Sequence, residues 1–504
     1  MSNIRSFTLA TLLSLGTATT SVAQDWTDAL RYSYLSESGT ARSMGIGGAQ
    51  GSIGGDFSGL SVNPAGIAIY KSSDIMFTPS MKLNTVTSTY LNNNTTTNNS
   101  QFNFNNAGVV FTKVLKGRRA QRSKWKSVSY GFGVNRLADF NRNYTYGANN
   151  YTTSQTQAMA ADAQYNGNAQ VPGTLGYFGY QSYLTNVTDS ATNTYQSIVD
   201  PTKGLAQLKS VTESGGINEV VFSLGGNYMD QLLLGATIGI PVINYSRTAT
   251  YSETAIGTDT SGFNSYTYTE NLNTTGSGIN FKFGLIYKPS EYFRFGAAFH
   301  SPTWYNLHED DGVNITTNVS GSTTPYYYPN SFDYSLVTPW RGILSATAFL
   351  GSHGFITADY EYVDYTAASF SFDPNSPNIA QETNSNQQIK SILQPASNVR
   401  VGVEVRITSF FSLRGGYSYM GSPYSNSSGI NAASNTISGG IGFRFDHWYL
   451  DAALAHTMYN GIEQPYPAYP TATSTSTNPA YVVVPTATIG NSLNNASMTV
   501  GFRF

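Results

Sequence analysis

The chain closes on Ala496-Ser-Met-Thr-Val-Gly-Phe-Arg-Phe504, nine residues that alternate without a break. Ala496, Met498, Val500, Phe502 and Phe504 share one parity, and Ser497, Thr499, Gly501 and Arg503 share the other. Successive side chains of a strand point to opposite faces, so this is a ribbon with one apolar and one polar side. The same split recurs upstream. Val399, Val401, Val403 and Val405 stand against Arg400, Gly402, Glu404 and Arg406, and Ile279, Phe281, Phe283 and Leu285 against Asn280, Lys282 and Gly284. Ile356, Ala358 and Tyr360 stand against Thr357, Asp359 and Glu361 in the same way. The polar face carries nearly all the charge.

Such ribbons fit a soluble sandwich with its apolar face inward, or a membrane barrel with that face turned to lipid. Connection lengths separate the two. Counted from Asp74, about fourteen strands are joined by alternating short and long links. The short ones fall near Asp230, Lys288–Glu291, Gly351–Ser352, Thr408–Ser409 and Asp446–His447, with a basic one at Lys116–Lys124. The long ones fall near 90–101, 147–216, 252–263, 307–325, 367–395, 421–433 and 460–491, and hold the Asn/Thr/Ser tracts at 92–100 and 471–479. Within 147–216, Gly204–Val211 has helical spacing. Tight turns at one end and long loops at the other are the outer-membrane pattern. Trp448, Tyr449, Phe445 and Phe504 are expected in an aromatic girdle at the turn end, and Trp304, Tyr305, Tyr326–Tyr328 and Tyr459 in one at the loop end. The expected fold is all-β: a transmembrane antiparallel barrel in the bacterial outer membrane, in contact with its lipid.

Composition agrees. Charged residues make up 11% of 504, against about 25% in soluble domains, while Gly (48) and Tyr (36) are abundant. A net charge of -2 argues against nucleic-acid binding, and the absence of cysteine excludes thiolate chemistry. Met1–Ala23 has a basic start at Arg5, an apolar core and a Ser21-Val22-Ala23 cleavage site, so residues 1–23 are expected to be a signal peptide.

Residues 24–73 then precede the barrel at 74–504. Their centre, Gly39–Tyr70, is glycine-rich and low in charge, yet Ile46, Ile53, Phe57, Leu60, Val62 and Ile67 make it more apolar than a linker. A compact segment ahead of a barrel suggests a hatch plugging the lumen.

The leader, the stretch Gly54–Gly66 (GGDFSGLSVNPAG), the strand count and the terminal Phe504 together resemble the FadL/TodX family of outer-membrane transporters. The resemblance implies passive transport of long-chain fatty acids or other hydrophobic molecules such as aromatic hydrocarbons, by a monomer without cofactors. It also implies a hatch with Asn63, Pro64, Ala65 and Gly66 at the gate, and a sideways exit at a kinked third strand. Gly131 and Gly133 are the candidate kink, since glycine inside a strand often marks a bulge. A structural or adhesive barrel working through its long loops is the alternative.

Enzymatic readings fare poorly. His300 and Ser301 are adjacent and point to opposite faces. Asp359 and Glu361 share a face, where pairing with inward cations explains them better than acid–base catalysis. Arg400, Arg414 and Arg444 are the candidate lumen cations. No metal-ligand spacing occurs.

Overall fold

The structure, a computed structural model, describes residues 26–36, 38–165, 169–190, 193–257, 262–374, 379–470 and 481–504. The expected leader (1–23) and the 471–479 tract lie outside them.

Fourteen strands wind antiparallel into a closed wall. They are β1 (Asp74–Tyr90), β2 (Asn93–Val114), β3 (Trp125–Asp139 and Arg142–Asn150), β4 (Leu205–Tyr228), β5 (Leu232–Ala255), β6 (Phe263–Tyr287) and β7 (Phe293–His300 and Trp304–Val319). β8 (Ser322–Val337 and Arg341–Phe349), β9 (Gly354–Asp364 and Ser369–Ser371), β10 (Pro395–Arg406), β11 (Phe411–Met420), β12 (Ser434–Arg444), β13 (Trp448–Glu463) and β14 (Ala487–Arg503) complete it. β14 pairs with β1 from Asp74↔Arg503 to Thr89↔Thr488, so the last strand closes the sheet onto the first. Among the described residues no helix is long and apolar enough to cross a membrane.

β5 shows where the bilayer ends. Leu234, Ile238, Ile240 and Val242 face outward and are exposed, while Leu233 and Thr237 are buried inside. Beyond Val242 the faces exchange chemistry. Asn244, Thr248 and Thr254 face outward, and Ile243, Tyr245, Ala249 and Tyr251 are buried within. The lipid-facing part, residues 232–242, matches the roughly 9–11 tilted residues that cross a hydrocarbon core. The remainder is an extension beyond the bilayer whose inner face is tyrosine-rich and also carries Arg247 and the fully buried Glu253.

These extensions overturn several sequence expectations. The Asn92–Ser100 tract is strand, not loop: β1 and β2 run on to a two-residue turn at Leu91–Asn92, with φ of 46° and 67°. Threonine suits a pleated ribbon and asparagine tolerates the left-handed turn, so a tract polar on both faces still pairs, as in the Thr85–Asn98 and Thr89–Asn94 side-chain bonds of 2.9 and 2.7 Å. The 307–325 loop is likewise the β7–β8 hairpin, turning at Ser320–Gly321. Gly204–Val211 is not helical, because Leu205 opens β4 and pairs across to β5. The 147–216 link instead holds α4 (Gln155–Tyr165) and α5 (Leu175–Gln181), which cap the barrel's outer mouth over Tyr251, Phe263, Tyr266 and Tyr268.

Of the expected girdle residues, Trp304, Phe445, Trp448 and Phe504 are exposed on the wall. Tyr305 and Tyr449, one position out of phase, turn inward and are buried. Tyr459 lines an internal cavity, and Tyr326 and Tyr328 pack against Tyr177 and Phe178 of α5 above the membrane.

Candidate functional site

Residues 26–36 and 38–70 lie inside the barrel in two storeys. The upper is α1 (Trp26–Ser33), whose Ala29, Leu30 and Tyr32 join Tyr245, Tyr305, Tyr334, Phe370 and residues of α6 (Ile379–Ile392) in one buried aromatic cluster. Trp26 meets Tyr424 edge-on with centroids 5.7 Å apart. The lower storey is α2 (Ala41–Gly45) with two 3-10 turns, Phe57–Ser61 and Pro64–Ile69. Its local fold follows from its caps. Thr40 accepts from Ser43 N, Asp56 from Ser58 N, and Asn63 from Ala65 N, each leaving one fewer orphan donor. Pro64 sits at the first helical position, where its missing N–H costs nothing.

This lower storey is tied to the wall around much of its circumference. Ala41 N donates to Thr499 Oγ1 (2.7 Å), Gly47 N to Ser438 Oγ (3.1 Å) and Gly51 N to Asp359 Oδ2 (2.9 Å). Ser52 meets Thr347 (2.7 Å), Arg294 reaches Ile53 O (2.6 Å), His300 Nε2 lies 2.8 Å from Val62 O, and Ser61 donates to Glu219 (2.8 Å). β14, β12, β9, β8, β7 and β4 thus each hold the hatch by hydrogen bonds. Asp359 and His300 were not legible as anchors in the sequence, which showed only their inward parity. Nothing there says which carboxylate takes an arginine and which takes a backbone N–H.

Asn63 is the joint of the assembly. Its Nδ2 donates to Gly51 O (2.6 Å) within the hatch and to Leu285 O of β6 (3.1 Å), while Oδ1 caps the following turn (3.1 Å). Pro64, Ala65 and Gly66 are buried against β5 and β6.

Gly131 and Gly133 do not kink β3. They are paired on both sides, with Val110 and Gly108 of β2 and with Ser223 and Val221 of β4. A Cβ at Gly131 would meet Ile67 and Leu60, and one at Gly133 would meet Phe57, so both glycines make room for the hatch. Gly235 of β5 does the same for the backbone of Pro64 and Ala65. Gly235→Ala should therefore loosen the hatch without disturbing the strand. In single-channel recordings it should raise leak in the full chain and change nothing once residues 26–70 are removed; equal effects in both would refute the seating role.

The irregularity of β3 comes later, at a bulge between Arg136 and Ala138 and a break at Phe140–Asn141. β2 and β3 are laddered only from Asn106↔Asn135 to Val114↔Ser127. Beyond that point β2 pairs with β1 alone, and the outer piece of β3 pairs with β4 alone. The hydrogen-bonded ladder is parted here, while packing continues across it: Tyr90 meets Tyr146 with centroids 5.3 Å apart and Asn93 Nδ2 donates to Gly147 O at 3.3 Å. Asp139 spans the lower edge of the parting, accepting from Asn103 (3.0 Å), Lys82 (3.1 Å) and Arg136 (3.0 Å). A 190 Å³ cavity borders it, lined by Arg31, Lys82, Asp139, Arg142 and Glu213 among others.

Below the hatch a 650 Å³ vestibule holds Arg414 and Arg444, which converge on Asp451 at 2.7 and 2.9 Å; Arg414 also meets Glu404 at 2.8 Å. Arg400 stands apart, 3.5 Å from Glu361, which also pairs with Arg341 at 2.9 Å. From the hatch, Arg42 reaches Glu404 at 3.2 Å. Burial would lower the pKa of Arg42, but Glu404, with Asp56 and Asp451 beyond it, outweighs burial and raises it, so this charge is permanent. These arginines are engaged with carboxylates, an arrangement that braces the hatch.

A closed barrel, apolar outside at bilayer height and filled by its own N-terminal segment, defines an outer-membrane barrel of the hatch-plugged kind. Its fold is similar to that of a Pseudomonas aeruginosa FadL homologue (TM-score 0.53, 12% identity, covering 94% of this chain and 100% of that one). It is similar also to the toluene transporter TodX of P. putida (TM-score 0.51, 11% identity, 93% and 99% covered). No family model and no curated protein sequence matches the chain.

Proposed function

We propose that this protein passes hydrophobic molecules across the outer membrane by diffusion, with the hatch as gate and a sideways exit between β2 and β3. The observation that carries the reading is the parted β2–β3 ladder in a wall that is otherwise closed. A solute leaving there moves along the wall and need not cross the arginine-lined vestibule below the hatch, although it passes the charged cavity of Arg31, Lys82, Asp139, Arg142 and Glu213. The tyrosine-rich inner faces of the strand extensions supply a route inward from the outer mouth. The place above the hatch where a ligand would rest is filled by α1, so entry requires Tyr32 and Leu30 to withdraw from the aromatic cluster. The toluene transporter that shares this fold favours an apolar cargo, with aromatic hydrocarbons and long-chain fatty acids as the classes to compare.

Uptake of radiolabelled oleate and of toluene, measured in cells lacking their own hydrophobic-compound channels, decides it. The protein should raise uptake of at least one of them; uptake of neither above empty-vector cells would overturn the reading.

A further inference from the structure

Seven of the chain's 27 lysines and arginines lie in the fourteen residues Lys113–Lys126 (KVLKGRRAQRSKWK), with no acidic residue among them. This is the hairpin joining β2 to β3, folded around the short helix α3 (Gly117–Arg122) and closed by Leu115 N donating to Lys126 O at 2.9 Å. Lys113, Lys116, Arg118, Arg122 and Lys124 are exposed, and among the described residues none of these five makes an ion pair. The other turns at this end have no such field. They carry Asp230, Lys288 beside Glu291, His353, and Asp446-His447.

The height of the hairpin is fixed by its neighbours. Phe111, Val114 and Trp125 are exposed on the wall beside it, Trp125 edge-on to Tyr228 at 5.3 Å and Phe111 edge-on to Phe504 at 6.4 Å. Aromatic rings of this kind lie at the boundary between hydrocarbon and headgroups, so side chains one turn beyond them reach the headgroup layer. Five unpaired cations at that height, with salt screening over about 10 Å, favour a surface of anionic phosphates.

We propose that the β2–β3 hairpin is a docking surface for anionic phospholipid in the periplasmic leaflet of the membrane. It gathers phosphatidylglycerol-type headgroups beneath the same two strands that part higher up. The partner is the lipid surface, held by a field of charge. It is not a single phosphate in a pocket, since none of the five cations is buried.

The test uses the purified full chain in nanodiscs of mixed phosphatidylglycerol and phosphatidylethanolamine, with co-purifying lipid read by native mass spectrometry. Wild type should enrich phosphatidylglycerol about fivefold or more, and the enrichment should fall as salt rises. K116Q/R118Q/R122Q/K124Q should abolish it while keeping the heat-modifiable gel mobility of a folded barrel. R118K/R122K should retain it. No enrichment by wild type, undiminished enrichment in high salt or in the quadruple variant, or its loss in the Lys-for-Arg variant would each overturn the proposal. Displacement by inorganic phosphate well beyond that by sodium chloride at equal ionic strength would also overturn it, by revealing a free-anion site.

Discussion

Excising residues 26–70 should turn a nearly silent barrel into an open pore, with conductance in planar bilayers rising by about tenfold or more, because fourteen strands enclose a lumen close to porin size. The informative comparison is at Asn63. Asn63→Ala removes a cap and leaves the carbonyls of Gly51 and Leu285 without this donor, a loss on the order of 1–3 kcal/mol. Asn63→Asp is nearly isosteric and keeps the cap on Ala65, but sets an acceptor against those same carbonyls. The ranking should be excision, then Asn63→Asp, then Asn63→Ala, then wild type. If Asn63→Asp is as silent as wild type, Asn63 is a turn residue and has no part in holding the gate. The number of anchors argues for the manner of opening. Freeing the whole lower storey would break bonds to most of the wall at about 1 kcal/mol each, so a local shift around Asn63 and Pro64 is far cheaper than ejection.

Bridging the parting between β2 and β3 should stop transport. Asn103 and Asp139 already touch across it, and the sequence contains no cysteine, so N103C/D139C gives a clean pair for a short bis-methanethiosulfonate crosslinker, which releases sulfinate at each thiol and is cleaved by a reductant. Uptake should fall to empty-vector levels on bridging and return on cleavage, with neither single variant responding. Uptake unchanged in the bridged protein would rule out the sideways exit while leaving transport through the hatch standing, since the oleate and toluene measurements test that separately.

The lipid-facing half of the wall was readable from sequence because lipid imposes one rule on every strand: outward residues must be apolar, as in Val399–Val405 and Ala496–Phe504. Above the bilayer that rule lapses. Thr95–Thr97 can face water on either side, so a paired ribbon and a loop look alike in composition. A phase error of one residue was enough to misplace Tyr305 and Tyr449. Gly131 and Gly133 failed for another reason: a strand glycine means either a bend or a close neighbour, and only the fold shows that Phe57, Leu60 and Ile67 are the neighbours. The true break, at Phe140–Asn141, has no glycine at all. The hatch composition could be read from the sequence; its partners, scattered over most of the strands of the wall, could not.

The unequal length of the strands has a consequence for the protein's surroundings. β5 continues thirteen residues past Val242, about 30 Å of height once tilt is allowed for, whereas β10 to β12 span only 10–12 residues each. The rim is therefore a collar, tall over β4–β8 and low on the opposite side. The leaflet surface around an outer-membrane protein is a dense, hydrated layer of sugar and phosphate that repels oily solutes. A collar of this height carries the barrel's mouth up through that layer on one side, so that a solute taken up as proposed would meet the protein above the sugars.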